Sequence, residues 1–302
     1  MDRPLAIAQV NARAGGGGAE RIASQLMRAY RERGHTSWLI VGRGTADGDD
    51  VFTFPRAGST GVAHLAAGPL RILDRRRGLE TYRYPATRRM LDVLPGEPDI
   101  VHLHNLHGGY FDLRALPALS RRQPVVMTLH DAWLLSGHCA HSIGCDRWRT
   151  GCGACPDLGL YPAVTRDATA RNWERKRAIF ADTRVHIATP SQWLADRVRD
   201  SMLAPAAAEL RVIHNGVELD IFTPGDTAAA RAASGLPPAV PTILTVGAGG
   251  GANSYKDITT TRNAAAQAAE LLDRDVLLVV LGDQGPDQRT GRLTVRHVPF
   301  MD

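Results

Sequence analysis

Two α/β domains in tandem, each with a parallel sheet wound on both faces, are the fold this chain predicts. Three observations predict it. Short apolar strands alternate with amphipathic helices along the whole sequence. The 302 residues exceed the usual size of one domain. A stretch holding Pro224, Gly225, Pro237, Pro238 and Pro241 separates one strand–helix alternation from another. The expected organisation is a first domain over 1–222, a linker over 223–241, and a partial second domain over 242–302. An insert rich in cysteine occupies 138–156 of the first domain.

The elements follow in order. Residues 5–10 form a short buried strand. A run of four glycines, Gly15 to Gly18, leads into a helix from Ala19 to Arg33. Ile22, Leu26 and Tyr30 recur every four residues on one face of that helix. Gly34 is placed to end it, since glycine tolerates the left-handed turn after a helix. Residues 37–41 are the next strand. The 43–85 stretch has poor periodicity and is expected to hold loops with a short helix. Strands are expected at 99–103, 124–129, 185–189 and 211–213. A basic helix is expected over 169–181, and a helix over 192–200 is capped by Ser191. Residues 242–282 repeat the pattern: a strand, a Gly-rich turn with Lys256, a helix and another strand.

Composition narrows the function. The chain is 44% hydrophobic, enough for a large core and too much for a disordered chain. No apolar run reaches the roughly 18 residues of a membrane span. The N-terminus enters a short strand directly and lacks the long apolar core of a signal peptide, so a cytoplasmic location is expected. The formal charge is +5, with arginines clustered at Arg71, Arg75 to Arg77, Arg83, Arg88, Arg89, Arg121 and Arg122. These form either a solvated basic face or one drawn to anionic lipid headgroups or phosphorylated substrates. The anionic inner face of the plasma membrane is therefore a candidate peripheral partner. Nucleic acid is not expected: there is no helix-turn-helix, zinc-finger repeat or RNA-binding signature, and aromatics are only 6%.

Parallel sheets bind ligands at the carboxyl ends of their strands. The glycine run, His104-Asn105, His130-Asp131, Pro190-Ser191 and His214-Asn215 all fall at such ends. Free N–H groups at a helix start suit a phosphate or a close-packed sugar, although Gly15 to Gly18 is neither a dinucleotide fingerprint nor a P-loop. His104 and His130 each end an apolar strand, and histidine near neutrality can polarise or hydrogen-bond a hydroxyl. Lys256 beside a Gly-rich turn can hold a diphosphate. Cys139, Cys145, Cys152 and Cys155 lie in one short stretch, the last two as Cys-Gly-Ala-Cys. They read as a closed structural zinc site, with His138 and His141 as spare donors, or as disulfides or free thiols.

Taken together, these residues resemble glycosyltransferase family 4, a family of retaining enzymes with two Rossmann-type domains in the GT-B arrangement. The resemblance rests on Gly17-Gly18-Ala19-Glu20, on residues 99–104 ending in His104, and on Thr128-Leu129-His130-Asp131. It rests further on Pro190-Ser191 and above all on residues 212–217 with Phe222 and Pro224. The Cys-rich insert is similar to one in a branch acting in exopolysaccharide and colanic-acid-type synthesis. The resemblance implies transfer of a hexose from a UDP- or GDP-sugar to a hydroxyl of a glycan or lipid-linked acceptor, with no metal at the chemistry. It implies that Gly17, Gly18, Asn215 and Lys256 face the donor, that His104, Asn105 and Glu20 face the acceptor, and that His130 and Asp131 serve the reacting sugar. Two features depart from the family. Gly247-Ala248-Gly249 replaces the usual Gly-Arg-Leu turn, and Lys256 is followed by Asp257 instead of glycine. The Glu-x₇-Glu segment is expected past residue 302, so this chain alone is expected not to transfer sugar. The alternatives are a non-catalytic acceptor-binding remnant and a sugar-nucleotide epimerase, which would need crevice carboxylates that no clear set supplies.

Overall fold

The computed structural model describes residues 3–46, 48–55, 62–247 and 255–299, with the backbone alone at 62–66. The chain divides into two compact units, residues 1–216 and 217–302. The first carries seven strands: β1 (Ala6–Asn11), β2 (Thr36–Val41), β3 (Val51–Thr53), β4 (Ile100–Leu103), β5 (Val125–Thr128), β6 (Val185–Thr189) and β7 (Ala207–Val212). All pair in parallel, in the order β3-β2-β1-β4-β5-β6-β7. The helices are α1 (Gly18–Glu32), α2 (Val62–Arg76), α3 (Leu116–Arg122), α4 (Thr169–Ala181) and α5 (Gln192–Arg199).

Parallel strands covered on both faces need apolar side chains on both. The inner strands supply them: Val101, Leu103, Val125, Met127 and Ile187 are sealed in one core with Phe180 of α4. Burial of each such side chain contributes about 1.5–3 kcal/mol. Gly34 takes φ +85° just past α1, as its expected stop requires. The Ser191 hydroxyl caps α5 by accepting from the Leu194 N–H. The topology brings the segments after β1, β4, β5, β6 and β7 to one sheet edge.

The second unit holds β8 (Thr242–Val246), β9 (Val276–Leu281), β10 (Gln288–Thr290) and β11 (Leu293–Val298), in the order β10-β11-β9-β8. Among the described residues only β10 runs antiparallel to its neighbour. Helix α7 (Ile258–Leu271) presses Ala265 and Ala269 onto Val276, Leu278 and Val280.

Four local differences from the sequence reading have physical causes. The 43–85 stretch adds an edge strand, β3, and a helix of 15 residues, not a short one. Three residues are too few to show a period of two, and Gly68 and Pro69 interrupt the helical pattern of α2. Strand β7 starts at Ala207, ahead of the expected Arg211, because Ala207-Ala208-Glu209 lacks the β-branched residues that mark a strand. The stretch expected as a linker holds helix α6 (Thr227–Ala233), capped by Asp226, which accepts the Ala229 N–H at 2.7 Å. The division into units falls after Gly216, ahead of the expected 222. Strand β7 ends at Val212, and residues 213–230 are all exposed.

Candidate functional site

The site at the sheet edge is built on a buried histidine stack. The Gln9 side chain, on β1, is fully buried. Its Oε1 lies 3.0 Å from His104 Nε2, and His104 Nδ1 lies 3.0 Å from His130 Nε2. The His104 and His130 rings stack with centroids 5.3 Å apart. A carbonyl oxygen only accepts, so His104 donates from Nε2 to Gln9. A neutral His104 then accepts at Nδ1, and His130 donates to it from Nε2. This fixes the His130 tautomer and leaves its Nδ1 as a lone-pair acceptor. Burial holds His130 below its ordinary pKa, against the pull of Asp131, and holds His104 well below. Beneath them His102 is pushed down to about 4 by burial and by His130, and its Nε2 sits 2.8 Å from the Thr128 hydroxyl.

Asp131 does different work. Its Oδ1 accepts the Trp133 N–H at 2.9 Å, fixing the loop after β5. Its Oδ2 receives His107 Nε2 at 2.7 Å. His107 Nδ1 in turn lies 3.4 Å from the Tyr161 hydroxyl. Asp131 is thus a positioning group for His107, a residue the sequence reading did not single out. His107 lines a polar cleft of about 280 Å³ with Arg13, Glu20, Arg43, Asn105 and Tyr161.

The predicted acceptor residues Glu20 and Asn105 meet in that cleft, but His104 does not. It is only 1% exposed, sealed under His130, so it supports that ring instead of touching a ligand. Gly15 and Gly16, not Gly17 and Gly18, line the cleft. Gly17 is the N-cap of α1, and a methyl placed on it would come 2.5 Å from Glu20 Oε2. The Glu20 carboxylate has therefore folded back over the helix start, where the sequence reading put a donor phosphate. A phosphate there would have to displace it.

Asn215 is exposed beyond β7, where His214 donates from Nδ1 to the Pro190 carbonyl at 2.9 Å. In the second unit the Lys256 stem lies against Gly247, 3.2 Å from where a methyl there would sit. Residues 248–254, the rest of the expected Gly-rich turn, lie outside the described residues. Asp257 is the N-cap of α7, accepting the Thr260 N–H at 2.9 Å. Its carboxylate is committed to the helix it starts.

The four cysteines are free. Cys152 accepts the Gly137 N–H at 3.2 Å, and Cys155 faces His138 Nε2 at 3.4 Å. Among the described residues no three His, Cys, Asp or Glu side chains gather as a metal-holding group, so the geometry gives the zinc reading no support. Burial pushes the Cys152 thiol up to about 11. At about pH 8 only about one part in 10³ of it is thiolate, the reactive form. Alkylation of Cys152 by iodoacetamide is therefore expected to be at least about 10²-fold slower in the native chain than in urea. Equal rates by mass spectrometry would contradict this burial.

Comparison with known proteins agrees with the architecture. The chain is 28% identical over 230 residues to the Escherichia coli protein named "putative colanic acid biosynthesis glycosyl transferase WcaC", covering 70% of this chain and 55% of that one. It is 28% identical over 238 residues to D-inositol 3-phosphate glycosyltransferase 1 of Catenulispora acidiphila, covering 76% and 50%. The chain spans about half the length of the curated relatives it matches. The catalytic domain of Arabidopsis thaliana starch synthase IV shares its fold at 14% identity and TM-score 0.55, covering 99% of this chain and 75% of that one. The lipopolysaccharide-biosynthesis glycosyltransferase WaaG does so at 17% and 0.51, covering 91% and 63%. The two-sheet α/β architecture is that of the GT-B class. The sequence profile of Glycosyltransferase Family 4 covers residues 16–221, and the chain belongs to that family.

Proposed function

We propose that this protein serves the transfer of a hexose from a nucleotide-sugar to a hydroxyl of a glycan or lipid-linked acceptor in surface-polysaccharide synthesis. Membership of the family and the names of the two relatives support this reading. One observation of the structure carries the chemistry: the Gln9–His104–His130 array, which fixes a neutral His130 with Nδ1 free to accept. A neutral acceptor suits a sugar hydroxyl, and the rigid support beneath it removes the cost of orienting the ring. In the transfer, the acceptor oxygen bonds to the anomeric carbon as that carbon's bond to the diphosphate breaks. The hydroxyl proton leaves with the diphosphate. The configuration at the anomeric carbon is retained. The first unit holds the acceptor in the cleft of Glu20, Asn105 and His107, and the second holds the nucleotide near Lys256.

The test is turnover, in a version of the protein that includes the expected Glu-x₇-Glu segment, with a panel of UDP- and GDP-hexoses and a lipid-linked glycan acceptor. His130→Ala is expected to lower turnover by about 10²-fold or more, the scale for losing a positioned polar group. His104→Gln should produce much of the same loss by freeing the ring above it. Near-normal turnover in His130→Ala would remove His130 from the chemistry. No consumption of any donor by that longer version with His130 intact would remove the reading itself. The location at the cytoplasmic face of the membrane belongs to this proposal. Among the described residues no helix is long and apolar enough to cross a membrane.

A further inference from the structure

Several arginines of the first unit answer a carboxylate. Arg3 pairs with Asp99, Arg83 with Asp74, Arg89 with Asp92, Arg114 with Asp112 and Arg122 with Glu97. Arg43, Arg71 and Arg75 have no such partner among the described residues, and they gather. Gly109, at φ +79°, marks the meeting point. A methyl on it would lie 2.8 Å from the Tyr84 hydroxyl, 2.9 Å from Arg43 Nη2 and 3.5 Å from Arg75 Nη2. These groups arrive from three places: the segment after β2, the last turn of α2, and the loop that follows α2. The Arg71 guanidinium stands 5.4 Å from the centre of the Tyr84 ring, and its Nη1 donates to the Arg83 carbonyl. An open cavity of about 460 Å³ lies against Arg71, Arg75, Tyr84 and Gly109.

A second, independent observation lies at the same place. The Tyr84 hydroxyl is buried and has no hydrogen-bond partner among the described residues. A buried hydroxyl without a partner is costly, and so are neighbouring guanidinium groups without a counter-charge. One anion bearing several acceptor oxygens answers both. Asp74 is already engaged by Arg83 and Glu80 by Lys176, and Glu20, which lines the polar cleft with Arg43, forms no ion pair among the described residues.

We infer that Arg43, Arg71, Arg75 and the Tyr84 hydroxyl form a subsite for a phosphate or diphosphate ester at Gly109. The site adjoins the polar cleft, which Arg43 also lines. The proposed acceptor is therefore a phosphorylated molecule. The phosphorylated acceptor rests on the glycosyl-transfer reading, while the anion subsite stands without it. Guanidinium groups suit such a ligand because they meet phosphate oxygens in pairs.

The test is binding, with no donor sugar present. Inorganic diphosphate titrated into the chain by calorimetry should saturate. The double variant Arg43→Gln/Arg75→Gln should raise its Kd by at least about tenfold, the scale of one lost charge-assisted bond. Tyr84→Phe, which keeps the charge, should raise it about fivefold. Arg121→Gln/Arg122→Gln removes the same charge elsewhere and should change nothing. In a second arm, each variant is sedimented with vesicles of neutral and of anionic phospholipid. Diphosphate binding lost in the Arg43/Arg75 variant identifies a free phosphate ester. Anionic-vesicle binding lost in that variant, with no diphosphate binding, identifies a lipid headgroup. If the two double variants behave alike in both arms, or nothing binds in either, the subsite is refuted. Glycosyl transfer is judged separately, since binding can persist where transfer fails.

Discussion

Lys176→Met is expected to lower the stability of the first unit by about 3–5 kcal/mol, the usual cost of breaking a buried ion pair from one side. Lys176 lies on α4 with no exposed surface. Its Nζ is 3.0 Å from the Glu80 carboxylate and donates to the carbonyls of Trp133 at 2.8 Å and Ser136 at 3.0 Å. It also stands 3.8 Å from the centre of the Trp133 ring. Burial pulls the Lys176 ammonium below its ordinary pKa and lifts Glu80 above its own, while their mutual attraction opposes both shifts. The pair as a whole is therefore no large source of stability, but either half alone is a buried charge without an answer. Methionine preserves the stem and removes the charge, leaving the Glu80 carboxylate with the Tyr82 hydroxyl but no counter-charge, and two carbonyls without their donor. Lys176→Met/Glu80→Gln should recover part of the loss.

The readout is clean because all five tryptophans (Trp38, Trp133, Trp148, Trp173 and Trp193) lie in the first unit. Urea unfolding followed by tryptophan fluorescence therefore reports that unit and not the other. Against a typical total of about 5–15 kcal/mol, a loss of this size removes a large share of the stability. A cost under about 1 kcal/mol would mean that water reaches the pair. The consequence extends to the site. Lys176 holds the Trp133 carbonyl, while the Trp133 N–H holds Asp131, which holds His107. Loosening α4 from this loop should weaken the positioning of His107 as well as the fold.

Elements whose side chains repeat with a clear period were legible in the sequence. Helix α4 and strand β6 lie at the expected residues, because Trp173 and Phe180, and alternate residues of β6, commit those elements to the core. The ends of β4 and β5 were legible too, and with them the pairing of His104 and His130 near one sheet edge. What was not legible depends on contacts between distant residues. Gln9 reads as one polar residue in an apolar strand, and only its place beside His104 shows why it is there. His107 has no motif, and its meaning comes from Asp131 on the next strand's loop. Lys176 did leave a trace, a charge between Trp173 and Phe180 on the buried face of a helix, but its partner lies 96 positions away. Asp257 looked like a misplaced carboxylate beside a phosphate site until the structure showed a helix cap. The guanidinium groups of Arg43, Arg71 and Arg75 are scattered in sequence and meet only because α2 and the loop after it return to Gly109.

The same histidine stack that orders the site should make the first unit sensitive to mild acid. His102 titrates near 6.5 when unfolded and is pushed down to about 4 by burial in the folded unit. A depressed folded value means that the unfolded chain binds the proton first. The stability is whole above about pH 6.5 and drains away as pH falls from there through about 4. Linkage makes the His102 share about 2 kcal/mol between about pH 7 and pH 5, and about 3 kcal/mol by about pH 4. His104 and His130 are shifted in the same direction by burial, so their losses add in the same window. The part of this window between about pH 6.5 and pH 5 lies above the ordinary carboxylate range, so it is separable from the later protonation of carboxylates. Urea unfolding by tryptophan fluorescence at a series of pH values should show the midpoint falling steadily below about pH 6.5. His102→Gln keeps a hydrogen-bonding side chain beside Thr128 but cannot take up the proton. It should flatten that slope by close to one proton while leaving the second unit untouched. A midpoint unchanged between about pH 7 and pH 5, or an undiminished slope in His102→Gln, would mean that the stack is open to water and charges freely in the folded state.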